Sequence, residues 1–213
     1  LILENSEYLA NIMTTEQGKP LKASRAEVKY SADFLLWFAE EAKRISGNWL
    51  SSEKLNQRFL TTKIPIGVVG AITPWNYPIS MLTRKVAPAL AAGCTIILKP
   101  SEYTPLCAIE TFRILQEAGL PPGVINLITT SKPNPIGKIL TSDSRIAKLT
   151  FTGSTEIGRK LASNASKNLK KISLELGGHA PFIVYPDSDP LYAAKGLAAL
   201  KFLNAGQACI SPN

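Results

Sequence analysis

Apolar and polar positions along the chain alternate between two periods, one typical of strands and one typical of helices. Short, nearly continuous apolar runs such as IGVVGAI (66–72) and TIILK (95–99) are typical of strands buried on both faces of a parallel sheet. Between them lie longer segments in which apolar residues recur every three or four positions, as in amphipathic helices. The alternation of strand and helix predicts an α/β fold with a mostly parallel sheet.

The same patterns locate the individual elements. Helices are predicted at residues 4–15, 22–45, 79–91, 105–118, 134–140, 155–165 and 190–203. Strands are predicted at residues 57–63, 66–72, 95–99, 124–128, 147–151, 171–176 and 181–185. Because ligands bind at the carboxyl ends of strands in parallel sheets, the residues that follow each strand are the first candidates for a functional site.

The segment 64–83 has no charged side chain and is long enough to suggest a membrane span. It contains Pro65, Pro74 and Pro78, which an ordinary spanning helix does not tolerate. A buried strand followed by the proline-rich turn TPWNYP (73–78) explains the segment better. We therefore predict no membrane partner.

Charge and cysteine content narrow the class of protein further. The 24 Lys and Arg residues exceed the 16 Asp and Glu residues, but they are scattered and no nucleic-acid-binding motif accompanies them, so we predict no nucleic-acid partner. Three cysteines and one histidine favour neither a disulfide framework nor a metal site. They favour a reducing compartment, either the cytoplasm or the mitochondrial matrix. Cys94 and Cys107 lie in apolar contexts and are predicted to be core residues.

Two predicted strands end in loops that suit a dinucleotide. LKPSE places Lys99 and Glu102 where they could hydrogen-bond ribose hydroxyls, and a carboxylate there favours NAD over NADP. FTGSTEIGR (151–159) is a glycine turn at a helix start, where backbone N–H groups and Ser154 could hold a phosphate. Taken alone, each motif also fits a structural role without a ligand. The first could be a surface Lys–Glu pair, and the second could contain an N-capping serine.

Two further motifs carry groups suited to catalysis. LELGG places Glu175 in an apolar strand before two glycines, which suits a general base acting on water. The alternative is an outward-facing strand carboxylate. NAGQACISPN surrounds Cys209 with small and polar residues, which leaves a thiol accessible as a nucleophile. The alternative is a buried structural cysteine.

Together these motifs resemble the aldehyde dehydrogenase superfamily over essentially the whole chain. Five segments stand in family order and at family spacing: TPWNYP, ALAAGCTIILKPSE, FTGSTEIGR, LELGG and NAGQACISPN. Within the family, WFAEEAKRISG, MLTRKVAPALAAGC and HAPFIVY are most similar to succinate-semialdehyde dehydrogenases. The resemblance implies a Rossmann-like parallel sheet flanked by helices, and the NAD(P)-dependent oxidation of an aldehyde to a carboxylate through a cysteine thioester.

The resemblance also implies a role for each matching residue. Cys209 would attack the aldehyde, and the Asn76 amide together with the Cys209 backbone N–H would stabilise the oxyanion that forms. Glu175 would activate the water that hydrolyses the thioester. NAD, with NADP possible, would be bound by Ile72, Thr73, Pro74, Trp75, Lys99, Ser101, Glu102, Gly153, Ser154, Gly158 and Leu176.

Two positions depart from the pattern of similar succinate-semialdehyde enzymes. Arg84 matches one of two arginines that commonly bind the distal carboxylate of the substrate, but Leu203 stands where the second is expected. Losing one bidentate donor weakens selection for such a substrate. Ser211 stands where some relatives carry a second cysteine, so no local disulfide switch is expected.

The resemblance divides the chain into parts. Residues 1–46 and 65–176 are predicted to form the NAD(P)-binding domain, 47–64 an oligomerisation hairpin, and 177–213 the start of a truncated catalytic domain. Because the chain starts with Leu rather than Met, we expect the true N-terminus to be missing. The expected partners are a small-molecule aldehyde and, at full length, further copies of the protein. The alternative is a truncated, non-catalytic fragment that binds a dinucleotide.

Overall fold

The computed structural model describes residues 1–212, and strands alternate with helices along most of that length. Its helices are α1 (Ser6–Gln17), α2 (Leu21–Ala42), α3 (Ser80–Ala91), α4 (Pro105–Glu117), α5 (Pro133–Ser142), α6 (Thr155–Ser166) and α7 (Pro190–Lys201). Its strands are β1 (Asn48–Ser51), β2 (Arg58–Thr61), β3 (Val68–Ile72), β4 (Ile96–Lys99), β5 (Ile125–Leu127), β6 (Ile146–Gly153) and β7 (Lys171–Leu176). A short 3-10 turn, Leu203–Gly206, follows α7.

Five strands form one sheet in the order β5-β4-β3-β6-β7. Every neighbouring pair in it is parallel. The predicted α/β fold, a Rossmann-like parallel sheet flanked by helices, is therefore confirmed. Because the strands are parallel, their carboxyl ends share one edge of the sheet, and the loops that follow β3, β4, β6 and β7 meet there.

Helices cover both faces of the sheet, and β3 shows why its sequence is almost continuously apolar. Val69 and Ala71 belong to a core cluster with residues of α3, α4 and β4. Val68 and Ile72 pack against a second cluster built from α5, β6 and α6. Successive side chains of a strand point to opposite faces, so a strand covered on both sides is apolar at every position.

A third cluster joins α1 and α2 to the start of α3 and to α4. It includes Met13, Val28, Ile79 and Cys107. Cys107 is fully buried there, and Cys94 is buried in the cluster beside α3 and α4. The prediction that both cysteines are core residues is confirmed.

A buried ion pair holds the start of α3. Oε1 of Glu27 accepts hydrogen bonds from the backbone N–H groups of Ile79 and Ser80, both at 3.0 Å. Its other oxygen binds Nζ of Lys19, and both side chains are buried. Lys19 Nζ also lies 4.2 Å from the ring centroid of Tyr77. The pair satisfies backbone donors at the helix start and fixes the turn in front of it.

Residues 47–64, predicted as a hairpin by resemblance, contain an antiparallel pair of strands. The apolar pattern predicted a strand at 57–63, which becomes β2, and β1 pairs with it so that Trp49 lies opposite Leu60. All residues of both strands are exposed. The pattern did not reveal β1 because neither of its faces is buried.

The predicted strand at 181–185 is wrong, because these residues form neither helix nor strand. Ile183, Val184 and Tyr185 are exposed. A strand needs a neighbour to complete its hydrogen bonds, and within the described residues the parallel sheet ends at β7.

None of the helices within residues 1–212 is both long enough and apolar enough to cross a membrane.

Candidate active site

The turn between β3 and α3 carries Asn76 and is tied to two other parts of the chain. The backbone N–H of Thr73 donates to the carbonyl oxygen of Lys99 at 3.1 Å, which joins the ends of β3 and β4. Nδ2 of Asn76 donates to the backbone oxygen of Gln207 at 2.9 Å. Nδ2 of Asn204 donates back to the Asn76 carbonyl at 2.9 Å. The turn is therefore hydrogen-bonded to the loop that carries Cys209.

That loop owes its shape to consecutive left-handed residues. Asn204, Ala205 and Gly206 have φ values of 53°, 56° and 81°. This conformation is common for glycine, tolerated by asparagine and rare for alanine. It ends the helix predicted at 190–203 early and turns the chain back toward Asn76. Cys209 follows and is exposed, whereas the other two cysteines are buried.

Glu175 lies near the carboxyl end of β7. Its strand neighbour on β6 is Thr152, and the next pair is Gly153 with Leu176. The Glu175 side chain is exposed in the described chain, as the alternative of an outward-facing carboxylate expects. β7 is the last strand of the sheet, so no neighbouring strand within residues 1–212 shields this carboxylate.

One cavity of about 430 Å³ brings the thiol, the carboxylate and the amide together. Cys209, Glu175 and Asn76, which are far apart in sequence, all line it. The other lining residues that the sequence predicted are Pro74, Trp75, Arg84, Gly153, Ser154 and Leu176. The predicted residues outside this lining are Ile72, Thr73, Lys99, Ser101, Glu102 and Gly158. Leu203 is also outside it and is exposed.

Lys99 and Glu102 form an ion pair at the end of β4. Nζ of Lys99 lies 2.8 Å from Oε2 of Glu102. Burial acts to raise the pKa of Glu102, but the hydrogen bond from Lys99, a backbone hydrogen bond and the Lys99 charge together lower it. Ser101 is buried, and its Oγ accepts from the backbone N–H of Tyr103 at 3.3 Å. The pair presents a cation and an anion at the shared edge of the sheet.

The glycine turn after β6 is explained by close packing. Oγ of Ser154 caps α6 by accepting from the Ile157 N–H at 3.4 Å, so its hydroxyl oxygen fulfils the alternative role expected for it. A Cβ on Gly153 would lie 2.5 Å from the ring of Phe151, and one on Gly158 would lie 2.6 Å from Leu176. Gly158 thus lets α6 approach β7 closely, and Gly153 is required for space rather than for a left-handed turn.

Two buried hydroxyls at the same edge have no hydrogen-bond partner within the described residues. They are Oγ1 of Thr73, just after β3, and Oγ1 of Thr152, in β6. Buried polar groups normally find a protein, water or ligand partner. With the Lys99–Glu102 pair and the N–H groups at the start of α6, they form a donor and acceptor set that fits the hydroxyls and phosphates of a dinucleotide.

Sequence reasoning missed Lys85, which is buried beside the cavity. Its Nζ donates to Oγ1 of Thr150 at 3.0 Å. Burial and the Arg84 charge lower the pKa of Lys85 to about 8, although the charge of Glu175 acts in the opposite direction. The signal was its position in α3, where it shares helical spacing with the apolar face that includes Leu82.

Arg84, Lys85 and Glu175 line a second cavity of about 360 Å³, with Lys148 and Ser173. The Arg84 guanidinium lies 5.5 Å from the ring centroid of Phe34 on α2. Arg84 and Glu175 therefore lie between the two cavities. Within residues 1–212, no group of three or more His, Cys, Asp or Glu side chains could hold a metal ion.

Comparison with known proteins identifies the class to which this fold and site belong. A sequence model of the aldehyde dehydrogenase family matches residues 1–213, so the chain belongs to that family. The family resemblance of the motifs is confirmed.

Similar proteins make the relationship more specific. The chain is 52% identical, over 212 residues, to a probable succinate-semialdehyde dehydrogenase (NADP(+)) of Sinorhizobium fredii, covering all of this chain and 43% of that protein. It is 50% identical to glutarate-semialdehyde dehydrogenase of Pseudomonas putida, covering 44% of it. A crystal structure described as an NADP dependent enzyme of E. coli matches 99% of this chain and 44% of its own, with a TM-score of 0.96 at 50% identity. The chain thus spans less than half the length of these relatives.

Proposed function

We propose that the complete protein oxidises a small aldehyde with a distal anionic group to the carboxylate, using NAD(P)+ and a thioester on Cys209. One observation supports this most directly. Cys209, Glu175 and Asn76 line a single cavity in a chain that belongs to the aldehyde dehydrogenase family. The three groups come from different loops and strands, and they are the nucleophile, general base and oxyanion donor that the reaction needs.

In the first step the Cys209 thiolate attacks the aldehyde carbon, and the carbonyl oxygen becomes an alkoxide. Asn76 suits this step because an amide is neutral, does not repel the thiolate and donates a hydrogen bond. One of its two N–H groups is bound to Gln207. Within the described residues the second N–H has no protein acceptor, so it can stabilise the alkoxide together with the Cys209 backbone N–H.

A bound nicotinamide dinucleotide would supply the acceptor for the hydride that leaves the former aldehyde carbon. Lys99 and Glu102 would hold its ribose, and the start of α6 with Thr73 and Thr152 would hold neighbouring polar groups. The name of the S. fredii relative specifies NADP(+), while Glu102 favours NAD. We therefore propose that either dinucleotide is used.

Glu175 completes the reaction by taking a proton from water, which then attacks the thioester carbon. The carbon–sulfur bond breaks, the carboxylate leaves and the Cys209 thiolate is restored. Gly177 and Gly178 follow Glu175, and an added Cβ at either would meet no atom within 4 Å. This open surrounding leaves space for the backbone that follows Glu175 to adjust.

Arg84 supports a substrate with a distal carboxylate. It lines the cavity and its guanidinium can form paired hydrogen bonds with a carboxylate. The two named relatives act on succinate semialdehyde and glutarate semialdehyde, which both carry this group. Because Leu203 supplies no second cation, we propose weaker discrimination between such aldehydes than two arginines would give.

A second candidate function belongs to the 213-residue chain alone, namely dinucleotide binding without turnover. Cys209 and Glu175 are both exposed, whereas the reaction benefits from a site that excludes water. A thermal-shift titration with NADP(+) and NAD, followed by an absorbance assay with succinate semialdehyde, separates the two functions.

The decisive test uses a hybrid enzyme, in which residues 1–213 replace the aligned segment of the S. fredii relative. We expect Cys209→Ala to abolish reduction of the dinucleotide, because the acyl-accepting sulfur is gone, while NADP(+) affinity changes little. Cys94→Ala is the matched control, since Cys94 is buried in a core cluster and should affect stability more than chemistry. Retained turnover in the Cys209→Ala hybrid would contradict the proposal.

A further inference from the structure

Four side-chain amides form a connected network beside Cys209. Asn204 is at its centre, because its Nδ2 donates to the backbone oxygens of Asn76 at 2.9 Å and of Gln207 at 3.2 Å. Nε2 of Gln207 donates to the backbone carbonyl oxygen of Asn204 at 3.3 Å, and Oε1 of Gln207 accepts from Nε2 of Gln17 at 3.1 Å. The network thus joins the end of α1, the turn after β3 and the Cys209 loop.

The orientation of the Asn204 amide is determined by its neighbours. Its Nδ2 faces two carbonyl oxygens, so exchanging the nitrogen and oxygen would bring three acceptors together. Its Oδ1 is buried and has no partner within the described residues. The residue is 3% exposed. The arrangement therefore leaves one acceptor unpaired while placing both donors on the backbone of the two functional loops.

Asn204 meets two requirements at a single position. Its backbone is left-handed, with φ 53° and ψ 38°, which asparagine and glycine tolerate better than other residues. Its side chain must also donate to two carbonyls, which glycine cannot do. A left-handed residue that served the turn alone would need no buried amide, so the double donation points to a second role.

We propose that Asn204 is a positioning residue: it holds the Cys209 loop against the Asn76 turn, so that the sulfur faces the carbon and the free amide N–H faces the oxygen of one substrate carbonyl. Its two acceptors are the carbonyl of Asn76 itself and that of Gln207, two residues before Cys209. Gln207 also accepts from Nδ2 of Asn76. These hydrogen bonds form a clamp between the Asn76 turn and the Cys209 loop. The clamp is observed in the structure, whereas its catalytic purpose rests on the proposed function.

The test uses the 213-residue chain with a fluorine label on its one exposed cysteine. Cys209 is alkylated with bromotrifluoroacetone, and the ¹⁹F spectrum reports the conformations of its loop. Asn204→Gly keeps the left-handed backbone and removes both donors. Asn204→Asp keeps the shape but cannot donate to either carbonyl. Asn168→Gly is the control, because Asn168 also donates its amide to a backbone carbonyl, that of Ser142 at 2.9 Å, on an exposed surface.

We expect one narrow ¹⁹F signal from the unsubstituted chain and from Asn168→Gly, and a broadened or split signal from Asn204→Gly. Hydrogen exchange of backbone amides should rise about fivefold or more in residues 73–79 and 203–212 and stay unchanged in β6, because only local contacts are lost. If the glycine variant does not fold, the aspartate variant must give the same result. An unchanged signal in the folded Asn204 variants, or exchange raised evenly along the chain, would overturn the proposal.

These measurements need neither aldehyde nor dinucleotide, so the clamp and the proposed function can fail separately. A disrupted loop in the Asn204 variants, with no activity in the hybrid enzyme, would retain the clamp and reject the function. An active hybrid whose Asn204→Gly variant keeps both the loop signal and the turnover number would reject the positioning role.

Discussion

At the residue scale, the proposed role of each group depends on its surroundings as well as on its identity. In the proposal, the Gln207 backbone oxygen occupies one N–H group of Asn76, and the other N–H is the oxyanion donor. Cys209 is reactive in the proposal because it is the exposed thiol, while Cys94 and Cys107 are enclosed. Burial raises the pKa of Cys107 well above the ordinary thiol value, with Glu16 acting in the same direction. That thiol is therefore unreactive at neutral pH.

Lys85 gives a residue-scale prediction about pH. Below pH 8 it is charged in the folded and unfolded states, so burying it opposes folding. Between about pH 8 and the ordinary lysine pKa, the folded state releases the proton first, so stability rises with pH. We expect Lys85→Met to be more stable than the unsubstituted chain near neutral pH. This advantage should shrink by up to ~3 kcal/mol as the pH approaches about 10.

Urea unfolding of both chains across this pH range measures the effect. Lys160→Met is the control, since Lys160 is exposed and pairs with Glu156 at 2.6 Å. A difference in unfolding free energy that stays constant with pH would contradict the lowered pKa of Lys85.

The residues that sequence reasoning found and missed differ in one physical respect. The motifs that contain Cys209, Glu175 and Asn76 have residue types that indicate a catalytic site. Asn204 and Lys85 act through tertiary contacts, and nothing beside them in sequence specifies the carbonyls or the hydroxyl that they bind. A lysine at the spacing of a buried helix face was the available signal for Lys85. For Asn204, the only available signal in the sequence was its position directly before Ala-Gly.

At the element scale, α3 links the core to the site, because it begins directly after the Asn76 turn and carries Arg84. Its start depends on Glu27, which binds two backbone N–H groups and the buried Lys19. An ion pair in this position stabilises only while both partners are present, since either charge alone would be buried without a counter-charge.

We therefore expect Glu27→Gln to lower the unfolding free energy by about 3–5 kcal/mol, because it leaves the Lys19 charge unpaired in the interior. Adding Lys19→Met to this variant should recover part of the loss. The unfolding free energy is measured by urea unfolding, and its dependence on urea concentration is held equal for all variants. Glu7→Gln is the comparison, because Glu7 pairs with Arg25 on an exposed surface and should matter far less. Equal losses in the Glu7 and Glu27 variants would contradict the role assigned to the buried pair.

β3 and β4 could be predicted from sequence because they are apolar and mostly buried, and β7 because polar and apolar residues alternate along it. The strand predicted at 181–185 is absent because no neighbouring strand within the described residues pairs with this apolar segment. Residues 48–51 escaped prediction because the pattern of a strand exposed on all sides carries no burial signal. The parallel order β5-β4-β3-β6-β7 then brings the predicted loops to one edge. Which side chains touch there depends on register, and the sequence does not state register.

At the scale of the whole molecule, we propose that residues 1–46 and 65–176 form a dinucleotide-binding domain, with 177–213 as the start of a catalytic domain. The hairpin in 47–64 would join copies of the complete protein. Trp49 and Leu60 lie opposite each other on it and are 70% and 69% exposed. Such an apolar pair is typical of an interface between proteins.

In the hybrid enzyme, replacing both Trp49 and Leu60 with serine should weaken self-association, because the apolar surface that favours it is removed. Sedimentation velocity would then show a smaller species than the unsubstituted hybrid. Leu169→Ser is the control, since Leu169 is 90% exposed in the loop between α6 and β7. An unchanged sedimentation coefficient in the double variant would exclude the hairpin as an association surface.

The most direct measurement of the central claim is peptide mass spectrometry of the Glu175→Gln hybrid after incubation with succinate semialdehyde. With NADP(+) present, we expect the acyl group on Cys209 to accumulate, because hydride has left but the base that activates water is missing. Without the dinucleotide, no acyl group should form. An unmodified Cys209 in the presence of NADP(+), or acylation of a different residue, would contradict a reaction in which these three groups act together.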